Sequence, residues 1–97
     1  MMKVSNMTSS KGNKAPNQFI IRSKNKIVFQ SYESIIAIKE NDTIVLDQKY
    51  WNFSDTTSKY RNLFLNEKKV DTLKKINSGE YKLRDLNRKP VKLRMVA

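Results

Sequence analysis

The sequence predicts an α+β fold: an antiparallel three- or four-stranded meander, then two short helices, with room for a closing strand. Three observations carry that expectation. Short β-branched and aromatic runs fill residues 19–46 and are separated by polar turn residues. The cluster Ser54-Asp55-Thr56-Thr57 then opens a stretch with helical spacing of apolar residues. A second such stretch ends at Gly79, and the alternating Tyr81-Lys82-Leu83 follows it.

Taken in order, residues 1–17 read as a disordered basic arm. Ser, Thr, Asn and Lys dominate there, no apolar period is visible, and Pro16 closes the stretch. Lys3, Lys11 and Lys14 would give this arm affinity without specificity. Residues 18–87 read as a single α+β domain. Phe19-Ile20-Ile21 and Lys26-Ile27-Val28-Phe29 flank the turn residues Ser23-Lys24-Asn25. Ile35 to Ile38 and Thr43 to Leu46 flank Asn41-Asp42 and make a hairpin.

Ser54 or Asp55 is the expected N-cap of the first helix, because a short side-chain oxygen there accepts from a free amide. Tyr60, Leu63 and Phe64 fall on one face of that helix, and Phe53 is placed to pack back on it. In the second helix, about Val70 to Asn77, Val70, Leu73 and Ile76 recur every three residues. Gly79 suits the left-handed position past its end. Residues 88–97 read as a basic tail.

Composition closes most chemical routes. The 97 residues include no Cys and no His, which removes thiolate chemistry, Cys/His zinc sites and the commonest general base. Gly12 and Gly79 are the two glycines, so no glycine-rich phosphate loop exists. The carboxylates show no metal-loop spacing. Asp42 and Asp47 flank one strand, where turn and edge roles outweigh Mg²⁺ binding. The expectation is a non-enzymatic protein without metal or cofactor.

The charge points to a partner. Twenty Lys and Arg against nine Asp and Glu give +11. Residues 1–26 hold six bases and no acid, whereas residues 27–57 hold two bases and five acids. Residues 58–79 and 80–97 each hold six bases and two acids. The predicted sheet is mildly acidic, and the helices and both ends are basic. Such segregation suits a phosphate-bearing partner.

The candidate contact residues are therefore Thr57, Ser58, Lys59 and Arg61 at the first helix, and Lys68, Lys69, Lys74 and Lys75 around the second. Lys82, Arg84 and Arg88 extend the set toward the C-terminal side. Hydroxyls and free amides at a helix start favour an anion. Of the aromatic cluster Tyr50-Trp51-Asn52-Phe53, Trp51 and Phe53 are expected in the sheet–helix core, with Tyr50 freer to stack on a base.

Tyr32-Glu33-Ser34-Ile35-Ile36-Ala37-Ile38, then Ile44-Val45-Leu46-Asp47, then Tyr50-Trp51-Asn52-Phe53-Ser54-Asp55-Thr56-Thr57-Ser58-Lys59-Tyr60-Arg61 resemble a small uncharacterised domain of phage and mobile-element proteins. That resemblance spans residues 27–86. It implies a genomic setting and transfers no functional residue.

The leading expectation is nucleic-acid binding, largely through phosphate. One alternative is an inhibitor of a host protein machine, such as an anti-CRISPR or a host-takeover factor, docking by a basic face. Another is a virion structural protein. No apolar run approaches the roughly 20 residues of a membrane helix, and the start lacks a signal-peptide core. No membrane partner is expected, and the expected location is the cytoplasm, that of the host cell if the chain is phage encoded.

Overall fold

The computed structural model describes residues 2–88. Its elements are β1 (Lys3–Thr8), β2 (Lys14–Arg22), β3 (Lys26–Ser31), β4 (Ser34–Glu40), β5 (Thr43–Asp47), α1 (Asp55–Leu65), α2 (Lys69–Ser78) and β6 (Lys82–Arg84). The strands form one six-stranded sheet in sequential order. β1 to β5 are antiparallel, and β6 returns parallel to β5 after both helices. The α+β class is as the sequence predicts. The meander is longer than three or four strands because it begins at Lys3.

That start corrects the disordered arm. β1 is mostly exposed and has little apolar pattern, but it pairs with β2 from Lys3↔Arg22 to Thr8↔Lys14. Its register shifts between Asn6 and Thr8, and the intervening Met7 is buried in the core. Pro16, which has no amide to donate, lies where that register is interrupted. Beside it Asn17 takes a φ of 64°, in the left-handed region that Asn tolerates. Asn6 Nδ2 closes the gap by donating to the Ala15 carbonyl at 3.0 Å. The predicted basic tail lies, apart from Arg88, outside the described residues.

Cross-strand neighbours share a face, so the register sorts the sheet. Ile20, Phe29, Ala37, Leu46 and Leu83 form one row facing the helices. An irregularity opposite Phe29 and Gln30 leaves Ile36 without a partner, and Ile36 and Ala37 are both buried. Val4, Ile21, Val28, Ile38 and Val45 form the adjacent row on the opposite face.

Ser54 is the N-cap of α1, and its Oγ accepts from the Thr57 amide at 3.2 Å. Thr57, Tyr60, Arg61, Phe64 and Leu65 are the buried stripe, at the i, i+3, i+4, i+7 and i+8 positions of a helix. Phe64 meets Phe29 with ring centroids 5.8 Å apart. Leu63 is 46% exposed, so the true stripe is rotated from the expected one. Phe53 is also turned outward, edge-on to Tyr50, and does not staple the helix. Tyr50 and Trp51 instead pack against the core.

α2 departs further from expectation. Val70 and Leu73 are exposed, and the inward side carries Asp71, Thr72, Lys75 and Ile76. A polar knot replaces the apolar stripe. Glu67 accepts from Thr72 Oγ1 at 2.6 Å, Lys75 Nζ at 2.7 Å and Tyr81 Oη at 2.9 Å. One carboxylate thus ties the α1–α2 turn, α2 and the approach to β6. Gly79 ends α2 at φ 87°, as its sequence position predicts.

Asp47 has a structural role too. It is buried, and its carboxylate accepts from the amides of Lys49, Tyr50 and Leu86. Beyond it, the Asn87 carboxamide completes the ladder at Ile35, donating to its carbonyl at 2.9 Å and accepting from its amide at 2.7 Å.

Candidate nucleic-acid interface

The structure divides the sequence-predicted contact residues. Thr57 is buried, with its Oγ1 3.2 Å from Ser31 Oγ and 3.1 Å from Ser54 Oγ. Ser58 Oγ donates to Asn52 Oδ1 at 2.9 Å. These hydroxyls hold the helix start together and leave no free cradle for a phosphate.

Arg61 is 0% exposed. Its guanidinium donates to the Trp51 carbonyl at 2.7 Å and to Asn62 Oδ1 at 2.9 Å, and lies 5.1 Å from the Trp51 ring centroid. Burial pushes its pKa down, with Glu67 opposing that at longer range. Arg61 is thus a core cation held by carbonyls and an indole, and it is withdrawn from the predicted interface. Lys75 is spoken for as well. It forms the one ion pair among the described residues, with Glu67 at 2.7 Å.

Lys59, Lys68, Lys69 and Lys74 remain exposed on or beside the helices. Lys82 and Arg84 are exposed on β6, where alternation about the inward Leu83 turns them to the face away from the helices. Arg88 is exposed beyond them. The eleven predicted residues therefore form no single surface.

A different cationic cluster is assembled by the register. Lys3, Arg22, Ile27, Lys39 and Ile44 are successive cross-strand partners on the helix-facing side. Lys24 lies in the β2–β3 turn and Lys26 starts β3. Arg22, Lys24, Lys26 and Lys39 line a groove of about 490 Å³ with Ser23, Asn25, Ile27 and Asn41. A second groove, about 350 Å³, runs on between β1, β2 and the end of α1, past Asn6, Met7, Leu63 and Phe64. Arg22, Ile27 and Lys39 line both, and no carboxylate lines either.

Lys39 sits at the join. Its Nζ donates to the Phe64 carbonyl at 2.6 Å and lies 4.5 Å from the Phe64 ring centroid. It supplies from β4 the cation that the last turn of α1 lacks. Burial, and then the nearby Arg22 charge, hold its pKa below the usual lysine value, with Glu67 opposing. An anion in the trough would relieve that repulsion.

The sequence contained a signal for this site. The first 26 residues carry six bases and no acid. Reading them as an arm plus a hairpin hid their convergence with Lys39.

Residues 2–81 match DUF8033, a family of unknown function. The chain belongs to this family. The DUF8033 match runs from β1 through α2, so it takes in every cation of the trough. No curated protein and no solved structure matches the chain.

Proposed function

We propose that this DUF8033 protein binds nucleic acid through phosphate contacts, along the trough lined by Arg22, Lys24, Lys26 and Lys39. The observation that carries the reading is this convergence of four cations around one concave surface with no lining carboxylate. A phosphate chain releases its counterions on such a surface, which drives binding with little sequence preference. The exposed helical lysines would extend the contact weakly. The resemblance of residues 27–86 to phage and mobile-element domains supports a phage-encoded setting, with no enzymatic step required.

Fluorescence anisotropy of a labelled oligonucleotide, titrated over a salt series, tests this reading. About four phosphate contacts give a log–log salt slope of roughly −2.8 to −3.6, at −0.7 to −0.9 per contact. Lys24→Glu with Lys26→Glu should weaken binding at least tenfold. Lys69→Glu with Lys74→Glu should weaken it less. A salt-independent isotherm, or wild-type affinity in the Lys24/Lys26 variant, overturns the proposal.

A further inference from the structure

We infer that the aromatic cleft between the β3–β4 turn and the start of α1 receives one unpaired base of the bound nucleic acid, which makes that ligand single-stranded. The inference rests on the cationic trough as the phosphate site and adds a second point of contact to it.

The cleft is about 220 Å³, below the roughly 300 Å³ at which drug-sized sites begin, so it has room for one planar ring system. Ser31, Ile36 and Thr57 are buried and form its floor. Tyr32, Tyr50 and Phe53 wall it. Tyr32 is 59% exposed and Phe53 66% exposed, and these are the two exposed aromatic side chains among the described residues. Both fall on this one cleft, whereas singly scattered surface apolar residues need no explanation.

The walls are fixed before any ligand arrives. Tyr32 adopts a φ of 55°, a strained position for a bulky residue. Its amide donates to the Asn17 carbonyl and its carbonyl accepts from Gln30 Nε2, both at 2.7 Å. Strain held in place by surrounding bonds clusters at ligand-binding positions. The Tyr50 amide donates to the Asp47 carboxylate at 2.8 Å, and Phe53 meets the Tyr50 ring edge-on with centroids 5.2 Å apart. A base stacks on such walls whatever its identity, because every base has a π face.

The floor is polar, as the edge of a base requires. Ser31 Oγ and Thr57 Oγ1 lie 3.2 Å apart. Gln18 is the cross-strand partner of Ser31, so its side chain stands beside that hydroxyl on the same face. Gln18 is 1% exposed, and neither polar atom of its carboxamide has a hydrogen-bond partner among the described residues. A buried unpaired amide is costly. A base edge at the floor brings donors and acceptors within one side chain of it, whereas an aliphatic occupant brings none.

Position fits as well. Trough and cleft lie on the helix-bearing side at opposite ends of β3, with Lys26 and Ile27 lining the first and Ser31 the second. Five strand steps from Lys26 to Ser31 separate them by roughly 17 Å. A single strand of several nucleotides bridges that interval. The exposed Glu33 and Asp55 adjoin Tyr32 and Ser54 in the chain and repel phosphate, so the ring enters while the backbone stays outside. Lys49, 5.3 Å from the Tyr50 ring centroid, offers that backbone a counter-charge. A base inside a duplex must first unstack and unpair, so a duplex gains nothing from the cleft.

Fluorescence anisotropy of two labelled single strands, equal in length and phosphate count but one of them abasic throughout, separates cleft from trough. The base-bearing strand should bind about five- to a hundredfold tighter, the range of one stacked base. Tyr32→Asn with Phe53→Ser should bring the two strands within twofold and leave the abasic strand's affinity and salt slope unchanged. Asn tolerates the left-handed backbone at position 32. Phe53→Trp keeps a stacking face and should keep the preference. Lys24→Glu with Lys26→Glu should weaken both strands alike and preserve their ratio. Equal affinity of the two strands with the salt slope intact overturns the inference and leaves the trough standing. If neither strand binds, the trough reading falls and this inference falls with it. A preference that survives Tyr32→Asn with Phe53→Ser places the base elsewhere and overturns it. So does an equal loss of affinity for a blunt duplex in that variant. Amide signals of Tyr32 and Phe53 that shift with tetramethylammonium but not with the base-bearing strand make the cleft a cation site, and the inference fails.

Discussion

Replacing Glu67 with Gln tests the polar knot that stands where α2 lacks an apolar seam. The carboxylate accepts from Thr72, Lys75 and Tyr81, and its side chain is 7% exposed. A glutamine has one accepting oxygen, so its amide group must face one of these donors. Losing a charge-assisted bond costs about 1.5–3 kcal/mol, and a stranded buried donor adds about 1–3 kcal/mol. Partial relaxation brings the expected loss to about 2–4 kcal/mol. The solvent-reaching Lys75 ammonium adds nothing to that figure. For a domain this size, the loss is a fall in Tm of roughly 10–25 °C.

Chemical denaturation followed by Trp51 fluorescence measures the change. The pH dependence gives an independent check. Burial pushes the Glu67 pKa up, but the bonds from Lys75, Thr72 and Tyr81 outweigh it and hold the value below that of a free glutamate. The resulting stabilisation is present above the unfolded pKa and is lost as pH falls through the folded one. The gap between wild type and Glu67→Gln should therefore narrow below about pH 5. A loss under about 0.5 kcal/mol, within the range of ordinary surface substitutions, or a gap that does not change with pH, refutes the reasoning.

Other outcomes follow from single contacts. Ser54→Ala removes the α1 cap and should cost about 1 kcal/mol by denaturation, with Ser54→Asp retaining most of it. Asn87→Ala deletes both bonds to Ile35 and should cost about 1–3 kcal/mol, with faster hydrogen exchange at the Ile35 amide. Lys39 has its pKa lowered by burial and then by Arg22, so the unfolded chain binds its proton more tightly. The stability of wild type relative to Lys39→Met should rise with pH between that lowered value and about 10.4, as unfolding curves at alkaline pH would show.

The sequence by itself determined most of the local elements. The β2–β3 and β4–β5 hairpins, the Ser54 cap and the Gly79 helix end are set by nearby residues, whereas Lys82 to Arg84 become a strand by pairing with the distant β5. Each of those local features depends on turn conformation or on a hydrogen bond within a few positions, so composition and spacing reveal it. The tertiary structure alone decided what lies far apart in the chain. β1 is a strand because β2 offers it a ladder and Met7 a place in the core, and its own polar sequence carries no such signal. Arg61 is buried and Leu63 exposed because the carbonyl of Trp51 and the amide oxygens of Asn52 and Asn62 accept from its two terminal nitrogens, although its Nε has no partner among the described residues. The candidate interface moved for the same reason. Local spacing placed the cations on the helices, whereas strand register brings Lys3, Arg22 and Lys39 into one row and sets Lys24 and Lys26 beside it. Like charges separated by many residues become one surface only when the backbone ladder fixes their neighbours.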